Sequence, residues 1–209
     1  MKRRSFGLDR RRAVEFARRE AAASCDVKQQ LGETELGALA DWARASLRAL
    51  AAGRRIYLFG NGGSAADAQH IAAELVGHFR RPRAALPAVA LTTDTSVLTS
   101  VGNDYGFEEI FLRQIEALAH PGDVVVGITT SGRSPNVLRA LARARTLGCV
   151  TVALCGAYTR ELRRVARHLV AVPSRDTQRI QEVHALLGHI FCDLIEQQLF
   201  PSTSRNRKR

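Results

Sequence analysis

Short apolar runs alternate with helical segments between residues 56 and 172, and this alternation constrains the fold more than any other feature of the chain. Each run has four or five residues, a length that suits a strand buried on both faces. Such strands alternating with helices predict a parallel sheet covered by helices on both sides. Right-handed crossovers then give a doubly wound, Rossmann-like α/β fold with five strands. The five runs are residues 56–59, 88–91, 124–128, 150–154 and 169–172.

Helical patterns occupy the intervals and both ends of the chain. Residues 10–52 are dominated by Ala, Leu, Arg and Glu, and Gly32 and Gly53 interrupt them. From Leu36 to Leu50 apolar residues recur at the three- and four-residue spacing of an amphipathic helix. Further helices are expected over residues 65–79, 135–147 and 179–199. With 209 residues and no internal repeat, one domain with appendages is expected.

The formal charge of +11 lies at the two ends of the chain. Residues 1–19 hold eight Lys/Arg and two acids, and residues 205–209 hold four Lys/Arg, so the remainder has a net charge of +1. Basic tails can bind polyanions, but they also keep a protein soluble. We therefore expect solubilising tails and no specific nucleic-acid partner.

Cysteine content and hydropathy bear on location. The four cysteines form no C-x-x-C pair, so we expect free thiols in a reducing cytoplasm and no thiolate metal site. The longest apolar run, at residues 124–128, is far short of the roughly 20 residues that cross a bilayer. No apolar stretch follows the basic start to complete a signal peptide. A cytoplasmic protein without membrane contact is expected.

Two loops follow strands at the edge where a parallel sheet binds ligands. The glycine loop, residues 60–64 (GNGGS), lets backbone N–H groups approach an anion near a helix start, although it could also be a tight turn. It has neither the G-x-G-x-x-G nor the Walker A spacing, so no nucleotide is indicated. The hydroxyl loop, residues 129–134 (TTSGRS), precedes Pro135 at a helix start. Its four hydroxyls exceed the one that simple capping needs, which favours a phosphate site.

Two helices carry candidate ligands. His70 and Glu74 are four residues apart and share a helix face, so they could reach one ligand or metal, or simply face solvent. The last helix carries Gln181, Glu182, His184 and His189 in an apolar stretch. His189 lies among Leu and Ile residues, so by its neighbours alone it reads as a core histidine bonded to a carbonyl group.

Five separated motifs follow one another along the chain: GNGGSAADAQHIAAEL, LTTDTSVLTSVGNDYGFEEIF, GDVVVGITTSGRSPNV, VTVALCG and RIQEVHALLGH. In this order they resemble the phosphoheptose (sedoheptulose 7-phosphate) isomerase family of the sugar isomerase (SIS) domain. The resemblance covers about residues 30–201. Thr129 stands where the family often has Ser, and Gln178 stands where some relatives have an acid.

The resemblance implies a ketose–aldose isomerase that converts sedoheptulose 7-phosphate into D-glycero-D-manno-heptose 7-phosphate through an enediol. It implies a homotetramer built on N-terminal helices, with active sites at subunit contacts and one zinc ion per subunit. Glu74 and His189 match the proton-transfer pair, and His70, Glu74, Gln181 and His189 match the metal ligands. The positions that match substrate-binding residues are Asn61, Gly62, Gly63, Ser64, Glu74, Asn103, Asp104, Thr129, Thr130, Ser131, Ser134 and Gln181.

One geometric condition applies to this ligand set. Gln181 and His189 are eight residues apart, about 12 Å along a helix. They can share an ion only if Gln181 reaches inward from the helix start or if helices of different subunits converge.

A second function remains open beside the isomerase. The SAADAQH stretch and the CDLI…LFP ending also resemble a non-catalytic SIS branch that binds the replication initiator DnaA. That branch lacks the Glu/His pair, which this chain has in Glu74 and His189. The resulting division is a basic, flexible tail (1–19), a single SIS domain (20–201) and a second basic tail (202–209).

Overall fold

The sheet of the computed structural model is parallel throughout and has the order β2-β1-β3-β4-β5. The structure describes residues 7–201. Register pairs Gly60 of β1 with Ile128 of β3, so the loops that follow these two strands are neighbours. The strands are β1 (Ile56–Gly60), β2 (Ala88–Ala90), β3 (Val124–Thr129), β4 (Val150–Cys155) and β5 (His168–Ala171).

Helices cover both faces of the sheet, as expected. One core cluster joins α2, α3 and α7 to alternate residues of the strands, and the other joins α5 and α6 to the opposite face. The helices are α1 (Arg10–Gln29), α2 (Glu33–Ala51), α3 (Gly63–Val76), α4 (Thr95–Asp104), α5 (Leu112–Leu118), α6 (Pro135–Thr146) and α7 (Thr177–Leu199). Two short 3₁₀ turns lie at Phe107–Glu109 and Leu162–Arg164.

The order of the strands places a topological switch between β1 and β3. The chain moves from β1 to β2 on one side and then continues with β3 on the other. In doubly wound sheets a crevice opens at this switch, outside the carboxyl ends of the strands, and it is where ligands bind. The glycine loop follows β1 and the hydroxyl loop follows β3, so they form the two walls of this crevice.

Some details differ from the sequence prediction. The expected helix over 10–52 is two helices, separated at residues 30–32, and Gly53 with φ of 70° ends the second one. Residues 10–19, which lie both in the predicted helix and in the predicted basic tail, form the first half of α1, and nearly all of their side chains are exposed. The predicted C-terminal tail and residues 1–6 lie outside the described residues.

Helices α4 and α5 were not predicted. The first has only ten residues, and none of its side chains is fully buried. Among the described residues, no helix combines the length and the apolar character needed to cross a membrane.

Candidate active site

A reciprocal amide pair joins the two loops of the crevice. Nδ2 of Asn61 donates to Oδ1 of Asn136, and Nδ2 of Asn136 donates to Oδ1 of Asn61, each at 2.9 Å. Asn136 is buried at the start of α6, and its Oδ1 also accepts from the backbone N–H of Val137 at 2.9 Å. The glycine loop is therefore fixed to the first turn of α6, beside the hydroxyl loop.

The hydroxyl loop gathers three of its four hydroxyl groups. Oγ1 of Thr129 lies 2.9 Å from Oγ of Ser134 and 3.3 Å from Oγ of Ser131. Pro135 begins α6 as predicted, but the Ser134 side chain bonds to Thr129 and does not cap the helix. The start of α6 and the clustered hydroxyls together offer donors and a positive helix-dipole end, the combination that favours a phosphate group. Thr130 is half-buried next to them, and its carbonyl accepts from the N–H of Gly156.

The glycine loop leads directly into α3. Gly62 has φ of 56°, a conformation that favours glycine, and its carbonyl accepts from the N–H groups of Ala65 and Ala66. Gly63 and Ser64, predicted as loop, already belong to the first turn of α3, and Ser64 is buried.

Gln181 lies against Gly63 at this end of the crevice. A Cβ atom at Gly63 would come within 2.8 Å of both terminal atoms of the Gln181 amide. Gly63 is seven residues before His70 on α3, which corresponds to roughly 10 Å along the helix. Within one chain, Gln181 is therefore at the glycine loop, and its assignment as a metal ligand remains a prediction that requires a neighbouring subunit.

The predicted residues His70, Glu74 and His189 do meet. Nε2 of His70 lies 3.2 Å from Oε1 of Glu74 and 3.3 Å from Nε2 of His189. One ligand atom from each of the three residues fits within 4.8 Å of the others. Two imidazole nitrogens and one carboxylate are a donor set that zinc accepts, with further positions left for substrate or water. The residues present therefore fit the metal that the sequence resemblance implies.

A narrow groove between α3 and α7 surrounds these three side chains. Gly188 allows α7 to approach α3 closely, because a Cβ at this position would lie 2.9 Å from Cγ1 of Ile71. Asp67 also lines the groove, and its Oδ2 atom is buried without a hydrogen-bond partner. Burial raises the pKa of Asp67 to about 6, although the nearby His70 lowers it in part. Burial likewise raises the pKa of the Cys192 thiol in the groove to about 12.

The two histidines of α7 differ in their surroundings, and His189 does not have the role that its neighbours suggested. His189 is half-buried, and its ring lies 4.9 Å from the ring of His70 and 5.2 Å from that of Phe79. His184 is the core histidine: it is fully buried, and its Nε2 lies 3.3 Å from the carbonyl oxygen of Cys155. The interpretation of His189 as a core residue was wrong, because α7 turns this side chain toward α3 and His184 toward the sheet.

Asn103 and Asp104 lie apart from the other candidates, at the end of α4. Both are exposed, and Nδ2 of Asn103 donates to Oδ1 of Asp104 at 2.8 Å. In the described part of the chain, this is the one hydrogen bond that either side chain makes. Their predicted substrate contact therefore stays a prediction.

The sequence analysis missed two polar residues of the site. Asn136 belongs to the quoted SPNV stretch, and its position directly after the Pro at the helix start could have indicated it. Asp67 is three residues before His70, so the helical period already places it on the same face.

Comparisons with known proteins show similarity over most of the chain. A family model described as the SIS domain matches residues 21–156. The phosphoheptose isomerase of Aquifex aeolicus is 54% identical over 176 residues, which are 84% of this chain and 92% of that protein. The phosphoheptose isomerase of Geobacter sulfurreducens is 57% identical over 170 residues, covering 81% of this chain and 90% of its own. A solved phosphoheptose isomerase from Neisseria gonorrhoeae superposes with a TM-score of 0.83 at 41% identity, over 88% of this chain and 99% of that one.

Proposed function

The chain belongs to the phosphoheptose isomerase family and so to the aldose–ketose isomerases, and from this premise we propose that it converts sedoheptulose 7-phosphate into D-glycero-D-manno-heptose 7-phosphate. The observation that carries the proposal is the convergence of Glu74 and His189 on His70, on the helix that begins at the glycine loop. A seven-carbon substrate has its phosphate at one end and its carbonyl at the other, which matches two separate polar sites.

The hydroxyl loop would hold the phosphate. Thr129, Ser131 and Ser134 present clustered hydroxyls at the start of α6, and the helix dipole there favours an anion. Because this contact is remote from the reacting carbons, its binding energy serves to orient them. The reciprocal hydrogen bonds between Asn61 and Asn136 hold the glycine loop beside this site.

Glu74 and His189 would move the protons. Conversion of the ketose takes a proton from C1 and delivers one to C2 through an enediol, while the hydroxyl proton passes between the two oxygens. A carboxylate such as Glu74 takes and returns the carbon-bound proton, and an imidazole such as His189 can transfer the oxygen-bound one. A zinc ion held by His70, Glu74 and His189, with Gln181 of another subunit, would supply Lewis-acid polarisation of the carbonyl.

The direct test is to incubate the purified protein with sedoheptulose 7-phosphate, with zinc or with a chelator, and to follow the sugar phosphates by NMR. We expect a new aldoheptose 7-phosphate signal from the wild type, and none from Glu74→Gln or His189→Ala at unchanged oligomer mass. As a matched control, Glu116→Gln and His120→Ala alter exposed residues outside the crevice and should retain activity. No conversion by the folded, zinc-loaded wild type would reject this substrate. Binding of that inactive protein to DnaA would then establish the adaptor function.

We further propose that the chain assembles as a homotetramer through α1. Phe16 is exposed, yet it shares a helix face with Val27, which lies three turns later and packs against the core. The apolar face of α1 therefore extends beyond its own subunit, and a second copy of α1 would cover it. Phe16→Gln should lower the mass measured by light scattering, whereas Arg18→Gln on the opposite face should not. An unchanged mass for Phe16→Gln would argue against assembly through this face.

We also propose that the protein is located in the cytoplasm. The thiols of Cys149, Cys155 and Cys192 are all buried and free, as is usual in a reducing compartment.

A further inference from the structure

We infer that the buried ion pair of Arg83 and Glu196 is the positioning element of the active site, and the inference rests on the function proposed above. Nε of Arg83 donates to Oε1 of Glu196 at 2.9 Å, and the two side chains are only 0% and 1% exposed. A buried pair of this kind is costly to desolvate, so stability alone is a weak reason for its presence. Its other hydrogen bonds show what it holds.

The Arg83 guanidinium ties the end of α3 to α7. Its Nη2 donates to the carbonyl of Glu74 at 2.7 Å, and its Nη1 donates to the carbonyl of Leu75 at 2.8 Å. These carbonyls belong to the last turn of α3, where a cation is also favoured by the helix dipole. Glu74 is itself a candidate catalytic residue, so the guanidinium binds the backbone of the residue whose side chain does the chemistry.

The Glu196 carboxylate acts on His189 through the backbone of the segment that contains Phe79. Glu196 lies two turns after His189 on α7, and it accepts from the N–H of Phe79 at 2.7 Å and from the N–H of Arg80 at 2.9 Å. The Phe79 ring in turn stacks on the His189 ring at 5.2 Å. One ion pair therefore fixes Glu74 through its backbone and His189 through Phe79.

The charge state of the carboxylate agrees with this role. Burial alone would raise the pKa of Glu196, but the N–H groups of Phe79 and Arg80 and the Arg83 guanidinium outweigh it and lower the pKa. Glu196 thus stays ionised and accepts all three donors through its two oxygens, as a neutral amide could not.

The decisive variant is Arg83→Lys, which retains the positive charge beside Glu196 but loses the fork that reaches the carbonyls of Glu74 and Leu75. A role in charge compensation alone would be preserved by Lys. We expect instead that kcat decreases about tenfold or more, the loss usual when the support of a metal ligand is removed. KM should change little, because the glycine loop and the hydroxyl loop beside it lie at the other end of α3. Affinity for Co²⁺, followed by its visible absorption, should fall in parallel.

Two further measurements separate positioning from general destabilisation. Leu162→Ala creates a cavity in the other core cluster and should lower the melting temperature without changing Co²⁺ affinity or kcat. Histidine ring signals in NMR spectra of the metal-free protein should shift for His70 and His189 in Arg83→Lys and Glu196→Gln, and stay in place for His120.

Each outcome decides the inference independently of the substrate. If the protein does not isomerise the heptose phosphate but Arg83→Lys still shifts the two histidine signals and weakens Co²⁺ binding, the positioning role stands and the substrate proposal fails. Unchanged ring signals, Co²⁺ affinity and kcat in Arg83→Lys would overturn the positioning role, whatever the substrate.

Discussion

Nε2 of His70 and Nε2 of His189 lie 3.3 Å apart, although the two residues are 119 positions apart in the sequence and belong to different helices. His70 Nε2 also lies 3.2 Å from Oε1 of Glu74. One proton on His70 cannot serve both neighbours equally, and two protonated imidazoles at this distance would repel each other. The three ligand atoms lie within 4.8 Å of one another, a spacing that suits a metal cation held between them.

Removal of one of these nitrogens should therefore weaken metal binding. We expect His70→Gln to lower the affinity for Co²⁺ by about tenfold or more. Removal of a group that only supports a metal ligand already costs about tenfold, and this substitution removes a ligand itself. Titration of the metal-free protein with Co²⁺, followed by visible absorption, measures this change. His78→Gln replaces an exposed histidine of the neighbouring segment and serves as the control. Wild-type affinity in His70→Gln would remove His70 from the ligand set.

The close approach of α3 and α7 provides a second prediction. A Cβ at Gly188 would lie 2.9 Å from Cγ1 and 3.0 Å from Cδ1 of Ile71, which is itself buried and has little room to move. Gly188→Ala should therefore push the helices apart, cost about 1–3 kcal/mol of unfolding free energy, and weaken Co²⁺ binding.

Gly37→Ala is the matched control for this change. Gly37 lies inside α2, and nothing is within 4 Å of its added Cβ. The same substitution should there stabilise the protein by up to about 1 kcal/mol, because glycine is a poor helix former. Denaturant unfolding of both variants measures the two changes. An equal effect at both positions would show that helix propensity, and not the contact with Ile71, determines the result.

The sequence predicted the sheet well because its strands are apolar on both faces and too short to be helices. All five runs became strands within one or two residues of their predicted ends. It also predicted that His70 and Glu74 share a face, since a period of 3.6 residues suffices for that. The strand order, which places the glycine loop beside the hydroxyl loop, depends on long-range pairing that no local pattern contains.

Side-chain direction on α7 was the hardest point to predict. His184 and His189 both have apolar neighbours, and only the packing of α7 against the sheet on one side and α3 on the other decides which one is buried. Arg83 was missed for the same reason, because its partner Glu196 is 113 residues away.

The amide pair between the two loops provides a third prediction. Asn136→Asp keeps an acceptor for Nδ2 of Asn61, but it loses the donor to Oδ1 of Asn61 and adds negative charge at the phosphate site. The added charge repels the phosphate and the glycine loop is held less firmly, so KM for the sugar phosphate should rise about tenfold or more. Inhibition by inorganic phosphate should weaken to the same extent.

Thr151→Val is the control for the loop prediction. Its hydroxyl donates to the carbonyl of Val165 and accepts from the backbone N–H of Arg167, so this variant loses two hydrogen bonds, but at the amino-terminal end of β4. Its KM should remain at the wild-type value. A rise in KM in both variants would mean that any lost buried hydrogen bond loosens the site.

The fourth prediction concerns stability as a function of pH. Burial lowers the pKa of His184 to about 4, whereas burial raises that of Asp67 to about 6, partly offset by His70. A histidine with a lowered pKa favours folding when neutral, so its contribution is lost as the pH falls from about 6.5 toward 4. An aspartate with a raised pKa acts in the opposite direction, because its protonated form is favoured in the folded state. The two groups therefore oppose each other over one pH interval.

Two variants separate these effects when their melting temperatures are measured between pH 7.5 and 4.5 with a chelator present and compared with those of the wild type. Relative to the wild type, His184→Gln should become progressively more stable as the pH falls, by an amount on the order of 3 kcal/mol once the His184 penalty is fully removed. Asp67→Asn should become progressively less stable relative to the wild type over the same range. If the difference between His184→Gln and the wild type does not change with pH, then His184 does not titrate as its burial requires.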